Sequence, residues 1–218
     1  MTSLMCAPRK GLKQLQKEVK TKELFDIACN TSLGVIGEGS YAKVSLYKMG
    51  EVLTAEKRFK NTVSRKQLLR AVIVLEKLNH VNIVKLLGFS TRPPSLVFEL
   101  CKVICEVGDI PLNNLKQLIV YRNDEDDFNY EERRSYVTQI SLGMQYLHGQ
   151  NIIHRDLKPS NVLVTGPIEN ALIKLCDFSH ISIMKDTCRS AVTNDPMKGM
   201  SISFCTYITT FSKLYDYY

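Results

Sequence analysis

The chain has 218 residues, 44% hydrophobic and 23% charged, with a formal net charge of +7, enough for one large domain or two small ones around an apolar core. No stretch approaches the roughly 20 apolar residues that span a bilayer. Met1 to Lys22 carries Arg9, Lys10, Lys13, Lys17, Lys20 and Lys22 without the apolar core of a secretory signal, so a cytoplasmic setting is expected. The basic residues are not interleaved with aromatics and no nucleic-acid motif appears, which favours a solvated basic face over nucleic-acid binding. The seven cysteines are odd in number and scattered; Cys101 and Cys105 are the only close pair, with no second pair or nearby His to complete a metal site. Reduced thiols are expected.

In chain order, residues 1–30 form a polar leader in which Leu12, Leu15 and Val19 have the spacing of a short amphipathic helix. Leu33 to Ile36, Lys43 to Tyr47 and Val52 to Phe59 read as strands, broken by a glycine-rich run and by Met49-Gly50. Ser64 to Leu78 reads as a helix with Ser64 as its cap, because Leu68, Val72, Leu75 and Leu78 recur every three or four residues. Ile83 to Leu87 and Leu96 to Leu100 are apolar strands separated by Thr91-Arg92-Pro93-Pro94. Leu112 to Val120 is a short helix, followed by an acidic loop from Asn123 to Asp127. Tyr130 to His148 is the clearest helix, with Tyr136, Ile140, Met144 and Leu147 on one face and Gly149 as a stop. Val162 to Val164 and Leu172 to Leu175 are strands joined through Thr165-Gly166-Pro167. After Phe178 the periodicity fades, and Ser179 to Tyr218 yields no element.

Four segments carry chemistry. Gly37-Glu38-Gly39-Ser40-Tyr41-Ala42-Lys43-Val44 lies between two strands, and glycines two apart let backbone N–H groups approach phosphate oxygens; a β-turn explains two glycines equally well, and no Gly-Lys-Ser/Thr of a Walker loop follows. Lys57, at the end of the third strand beside Ala55, could reach nucleotide phosphates, although a surface lysine is the simpler reading in isolation. His154-Arg155-Asp156-Leu157-Lys158-Pro159-Ser160-Asn161 matches a known catalytic loop at all eight positions, between an apolar helix and an apolar strand. There Asp156 would accept or orient the proton of an attacking hydroxyl, Lys158 would sit by the transferring phosphoryl group, and Asn161 would reach a magnesium ion. Asp177, after the next hairpin, stands where a second metal-binding carboxylate is needed.

From about Leu33 to Phe178 the chain resembles the eukaryotic protein kinase family, and Lys158-Pro159-Ser160-Asn161 is similar to its serine/threonine and tyrosine-kinase-like members. The resemblance implies an α+β, two-lobed fold, with a leader at residues 1–30, a strand-rich lobe at 31–100 and a partial helical lobe at 101–218. It also implies ATP and Mg2+ as cofactors and a protein hydroxyl as substrate. By the same resemblance, Ile36 would line the cofactor site, and Gly37, Glu38, Gly39, Ser40, Tyr41 and Ala42 would cover the phosphates. Val44, Ala55 and Leu163 would sandwich the adenine, Phe98 would be the gatekeeper, and Glu99 to Cys101 the hinge. Lys57 would clamp the phosphates, and Leu75, Leu86, His154 and Phe178 would stack as an apolar spine.

The sequence departs from the family pattern at four points. Ala42 replaces the third glycine. Ala71 stands where the first long helix should carry a glutamate, and Glu76, five positions later, is about 140° around the helix; Glu56 points to the opposite face from Lys57. Ser179 replaces the glycine after Asp177-Phe178. The Ala-Pro-Glu segment and the helices beyond it are missing, which would leave apolar surface exposed on the Tyr130 to His148 helix. The resulting reading is a serine/threonine protein kinase, weak or inactive as this chain alone. The rival is a pseudokinase that binds nucleotide or a partner as a scaffold or switch. Ser182, Thr187, Ser190, Thr193, Ser201 and Ser203 lie where the family's activation segment is phosphorylated.

Overall fold

The computed structural model describes residues 32–49, 51–60, 63–104, 112–124, 128–178 and 182–183. The leader helix, Cys105, Ser179 and the segment from 184 onward lie outside the described residues. The chain divides into two compact units, Met1–Asn79 with Lys85–Leu100 and His80–Val84 with Cys101–Tyr218.

In the first unit, alternating side chains build an antiparallel five-stranded sheet in the order β1-β2-β3-β5-β4. Its strands are β1 (Ser32–Glu38), β2 (Ala42–Met49), β3 (Val52–Phe59), β4 (Leu86–Thr91) and β5 (Pro94–Glu99). The register opposes Val44 to Lys57, Leu46 to Ala55, Phe98 to Ala55 and Leu96 to Lys57, so these six side chains share one face. Ser45, Thr54, Glu56 and Val97 lie on the other. Glu56 is 1% exposed, and its carboxylate accepts from Arg58 Nη2 at 3.2 and 3.1 Å. Pairing of this kind is what a buried carboxylate requires.

Between β3 and β4 runs α1 (Arg65–Leu75), which buries Leu68, Leu69, Val72 and Leu75 and packs against β4 and β5. Ser64 and Gln67 close a capping box at its start. The helix ends three residues earlier than its periodicity suggests, because Lys77 and Leu78 switch to tighter bonds to Val74 and Leu75; Leu78 stays buried. The strand expected over Ile83 to Leu87 is corrected. Strand β4 begins at Leu86, and Ile83 instead forms a parallel bridge with Leu175 in the second unit. An apolar run of five residues cannot by itself reveal that its two halves serve different partners.

The second unit contains α2 (Leu115–Asp124), α3 (Tyr130–Gly149) and two small sheets. One sheet pairs β6 (Val103–Ile104), β8 (Val162–Pro167) and β9 (Leu172–Leu175); the other pairs β7 (Ile152–Ile153) with β10 (Ser182–Ile183). The two-residue strands β6, β7 and β10 carry no sequence period and were not expected. Helix α2 starts where Asn114 Oδ1 accepts the Gln117 N–H at 3.1 Å, and it runs to Asp124, into the expected acidic loop.

Helix α3 is capped by Asn129, whose Oδ1 accepts the Glu132 N–H at 2.9 Å. Glu131 and Glu132 occupy its first turn and His148 its last, the signs the helix dipole prefers. Tyr136, Ile140, Met144 and Leu147 are buried as expected. The exposed apolar surface anticipated on this helix is not found along that face, which packs against β7 and β9; among its large apolar side chains Tyr130 and Leu142 are exposed. The chain turns away at Asn151, in the left-handed region at φ 60, rather than at Gly149 itself.

Gly143 permits the close approach of α3: a Cβ there would lie 3.0 Å from Leu175 Cδ1 and 3.1 Å from the Asn82 carbonyl oxygen. Gly149 has nothing within 4 Å of the same position. Gly143→Val is therefore expected to destabilise the chain by about 2 kcal/mol, whereas Gly149→Ala is expected to stabilise it by about 0.5–1 kcal/mol. Urea unfolding of the two variants beside wild type checks both signs.

Candidate active site

The loop between β7 and β8 is organised by backbone geometry. Arg155 and Asp177 both adopt left-handed angles, φ 66 and φ 62. For residues with a Cβ this costs about 1–2 kcal/mol each, and such strain is characteristic of functional sites. His154 is fully buried. Its Nδ1 accepts the Asp156 N–H at 3.3 Å, so the ring proton sits on Nε2, which donates to the Cys176 carbonyl at 2.8 Å. One imidazole thereby fixes both the catalytic loop and the residue before Asp177. Burial holds His154 below the usual histidine range, partly opposed by its bond to Cys176. The Phe178 ring lies 5.4 Å from the imidazole, tilted by 54°, so this half of the expected spine is in contact.

Three of the predicted residues meet at a single atom. Asp156 Oδ2 accepts from Lys158 Nζ and from Asn161 Nδ2, each at 2.8 Å. Asn161 Nδ2 also donates to the Asp156 carbonyl at 2.8 Å. The hydrogen bond that Lys158 donates to Asp156 raises the pKa of Lys158 above its ordinary value. Asn161, in a single 3-10 turn over Pro159–Asn161, spends both amide hydrogens on Asp156. Its Oδ1 is left as a hard oxygen donor, the type a magnesium ion takes. The Asn161 carbonyl accepts the Cys176 N–H at 3.0 Å, so half-buried Asp177 follows a residue tied directly to Asn161. The donor set in this unit, an amide oxygen and a carboxylate, fits a hard divalent cation. Among the described residues no cluster of three or more His, Cys, Asp or Glu forms a separate metal site.

Of the remaining predicted residues in this unit, Leu163 is half-buried on β8 opposite Lys174, and Cys101 is buried. The others belong to the strand-rich unit. Val44, Ala55, Lys57 and Phe98 share one sheet face and are all half-buried, while Leu96 and Phe89 farther along are fully buried. The face therefore presents an incompletely covered apolar floor with Lys57 at its edge. Ile36 is half-buried on β1.

Gly39, Ser40 and Tyr41 form the exposed turn into β2, closed by the Gly39 N–H to Ala42 carbonyl bond at 2.9 Å, and Ala42 is buried. A Cβ at Gly37 or Gly39 would meet nothing nearer than 3.8 Å, and neither has a positive φ. The chain's own conformation thus does not require glycine at these positions. Glu38 points to Lys60, whose ammonium holds its carboxyl below the usual range. Glu99 Oε1 accepts the Lys85 N–H at 2.8 Å, and the Glu99 N–H is committed to the Lys85 carbonyl at 3.0 Å.

Sequence reasoning missed Asn82 and Gln139. Buried Asn82 donates from Nδ2 to the Ile173 carbonyl at 2.9 Å and to Gln139 Oε1 at 3.2 Å. Gln139 Oε1 also accepts the Ile173 N–H at 2.9 Å. Polar residues inside an apolar pattern were the available signal, but nothing in the sequence pairs positions 82, 139 and 173.

The protein kinase domain profile matches residues 31–197, and the chain belongs to the protein kinase family. It is 33% identical over 155 residues to cyclin-dependent kinase-like 2 of Rattus norvegicus, covering 67% of this chain and 28% of that protein. It is 32% identical over 149 residues to mitogen-activated protein kinase 5 of Oryza sativa subsp. indica, covering 66% and 38% respectively. Mitogen-activated protein kinase 10 of Arabidopsis thaliana is 28% identical over 153 residues, covering 69% of this chain and 35% of that protein. The chain thus spans between 28% and 38% of the length of these relatives. Among the described residues no helix is long and apolar enough to cross a membrane.

His148 and His154 are both pushed down by burial. The unfolded chain takes up protons at these histidines near pH 6.5, where the folded chain does not. Their contribution to stability is therefore complete above about pH 6.5 and is lost as pH falls through that value toward the folded pKa. The thermal unfolding midpoint is expected to drop between pH 7.5 and pH 6. A constant or rising midpoint would show that these rings charge as readily folded as unfolded.

Proposed function

We propose that this chain binds Mg-ATP and transfers its terminal phosphoryl group to a serine or threonine hydroxyl of a protein substrate. The observation that carries the reading is the convergence of Lys158 and Asn161 on one carboxylate oxygen of Asp156. That arrangement immobilises the carboxylate and leaves its other oxygen to receive or orient the hydroxyl proton as the new P–O bond forms. Lys158, with its ammonium beside Asp156, neutralises charge on the moving phosphoryl group. Asn161 Oδ1 and the Asp177 carboxylate would hold magnesium, which supplies charge neutralisation at the phosphates. In the strand-rich unit Lys57 clamps the phosphates, the Gly37 to Ala42 backbone covers them, and Val44, Ala55 and Phe98 form the adenine floor. Leu163 contributes to the adenine site, and Glu99 to Cys101 supply hinge groups. We read residues 31–100 as the nucleotide-facing lobe, the chain from 101 as the catalytic-loop lobe, and a cytoplasmic location as the one matching the ATP supply.

One observation favours a second reading. Helix α1 carries no acidic residue from Arg65 to Leu75, so the helix cannot supply the carboxylate that orients the nucleotide lysine in the family. A nucleotide-binding scaffold without efficient transfer would keep the rest of the site.

Thermal unfolding of the full chain with and without Mg-ATP separates the outcomes. At a nucleotide concentration of about 100 times Kd, stabilisation of about 2.7 kcal/mol is expected. The midpoint should rise in wild type and not in Lys57→Met or Asp177→Asn. Asp156→Asn should keep the shift and lose phosphoryl transfer to a protein acceptor. A wild-type shift without transfer selects the scaffold; no shift in wild type rules out both readings.

A further inference from the structure

Lys60 holds both ends of the turn that joins β1 to β2, although it belongs to neither strand. It directly follows β3, whose last residue, Phe59, pairs with Ala42 at the start of β2. The Lys60 backbone N–H donates to the Tyr41 carbonyl at 2.9 Å, at the far end of the turn. Its ammonium donates to Glu38 Oε1 at 2.5 Å, at the near end. Strand β2 lies between β1 and β3 in the sheet, so this side-chain contact joins two strands that are not neighbours. The Gly39 N–H bond to the Ala42 carbonyl closes the same turn from within.

Both partners are exposed, with 38% of the Lys60 side chain and 54% of the Glu38 side chain open to solvent. An ion pair so placed contributes little to the stability of the fold. Its consequence is electrostatic. Glu38 stands between Gly37 and Gly39 in the backbone assigned above to covering the nucleotide phosphates, and a bare carboxylate there repels a polyphosphate. Lys60 offsets that charge directly, and Lys43, opposite Glu38 in the β1–β2 register, adds a weaker positive field. We infer that Lys60 is a positioning residue of the nucleotide site: it draws the Glu38 carboxylate onto its own ammonium, so that the turn meets the phosphates without an opposing charge. This role rests on the nucleotide reading proposed above, and it is separate from that of Lys57, which touches the phosphates themselves in that reading.

Calorimetric titration of the full chain with Mg-ATP and with adenosine tests this. Lys60→Met is expected to weaken Mg-ATP about fourfold at about 50 mM salt, with a smaller loss at about 300 mM, where charges are screened. Adenosine, which has no phosphate, should bind the variant as it binds wild type, and the thermal midpoint of the free protein should not move. Adding Glu38→Gln to Lys60→Met should recover most of the lost affinity, because the carboxylate that Lys60 offsets is then gone. Lys43→Met should cost less than Lys60→Met. Wild-type affinity for Mg-ATP in Lys60→Met, an equal loss for adenosine, or no recovery on adding Glu38→Gln would each overturn the role of Lys60 and leave the nucleotide reading standing. A wild-type chain that binds neither ligand would overturn both.

Discussion

Two consecutive residues, Leu175 and Cys176, hold the second unit together through their backbone groups. The Leu175 N–H donates to the Asn82 carbonyl at 2.9 Å, and its carbonyl accepts the Val84 N–H at 3.0 Å. The Cys176 N–H donates to the Asn161 carbonyl at 3.0 Å, and its carbonyl accepts from His154 at 2.8 Å. Four groups at the end of β9 thus bind the 80–84 segment, the catalytic loop and the turn that carries Asn161. Each buried group that lost its partner would cost about 1–3 kcal/mol, so the segments are fixed jointly. Asp177 follows directly, and its left-handed backbone angle is tolerated because the residue before it cannot move.

The catalytic loop shows the same economy. Asp156 is placed by its own N–H on His154 and by its carboxylate on Lys158 and Asn161. The apolar side of this arrangement is supplied by α3, whose close approach at Gly143 brings the helix against both Asn82 and Leu175. Packing and polar geometry therefore meet at the same two residues. Disturbing the helix contact would be felt at Asp156 through His154 and Cys176 without any change in the chemistry of the loop itself.

Much of this was legible in the sequence. The strands of the first sheet alternate, α1 and α3 have clean apolar periods, Ser64 announces its cap, and His154 to Asn161 specify their loop residue by residue. The opposite facing of Lys57 and Glu56 follows from strand alternation alone. What escaped depends on pairings between distant positions. Asn82 with Ile173, Ile83 with Leu175 and Val103 with Gly166 leave no local period, and two-residue strands are too short to have one. Gly143 reads as an ordinary helical glycine until the neighbouring backbone is in view. The fate of Arg58, which satisfies buried Glu56, likewise depends on what covers that sheet face.

The end of β9 is locked to the His154–Asn161 loop and the 80–84 segment as one cooperative element. Native-state hydrogen exchange of the full chain tests it most directly at the Leu175 and Cys176 amides. Both are expected to exchange in the slowest class, together with the buried amides of α3 around Ile140 and Met144, and with the same denaturant dependence. Rapid exchange at Leu175 and Cys176 while α3 stays protected would contradict it, because the catalytic loop would then be open to local fluctuation rather than held in place by the fold.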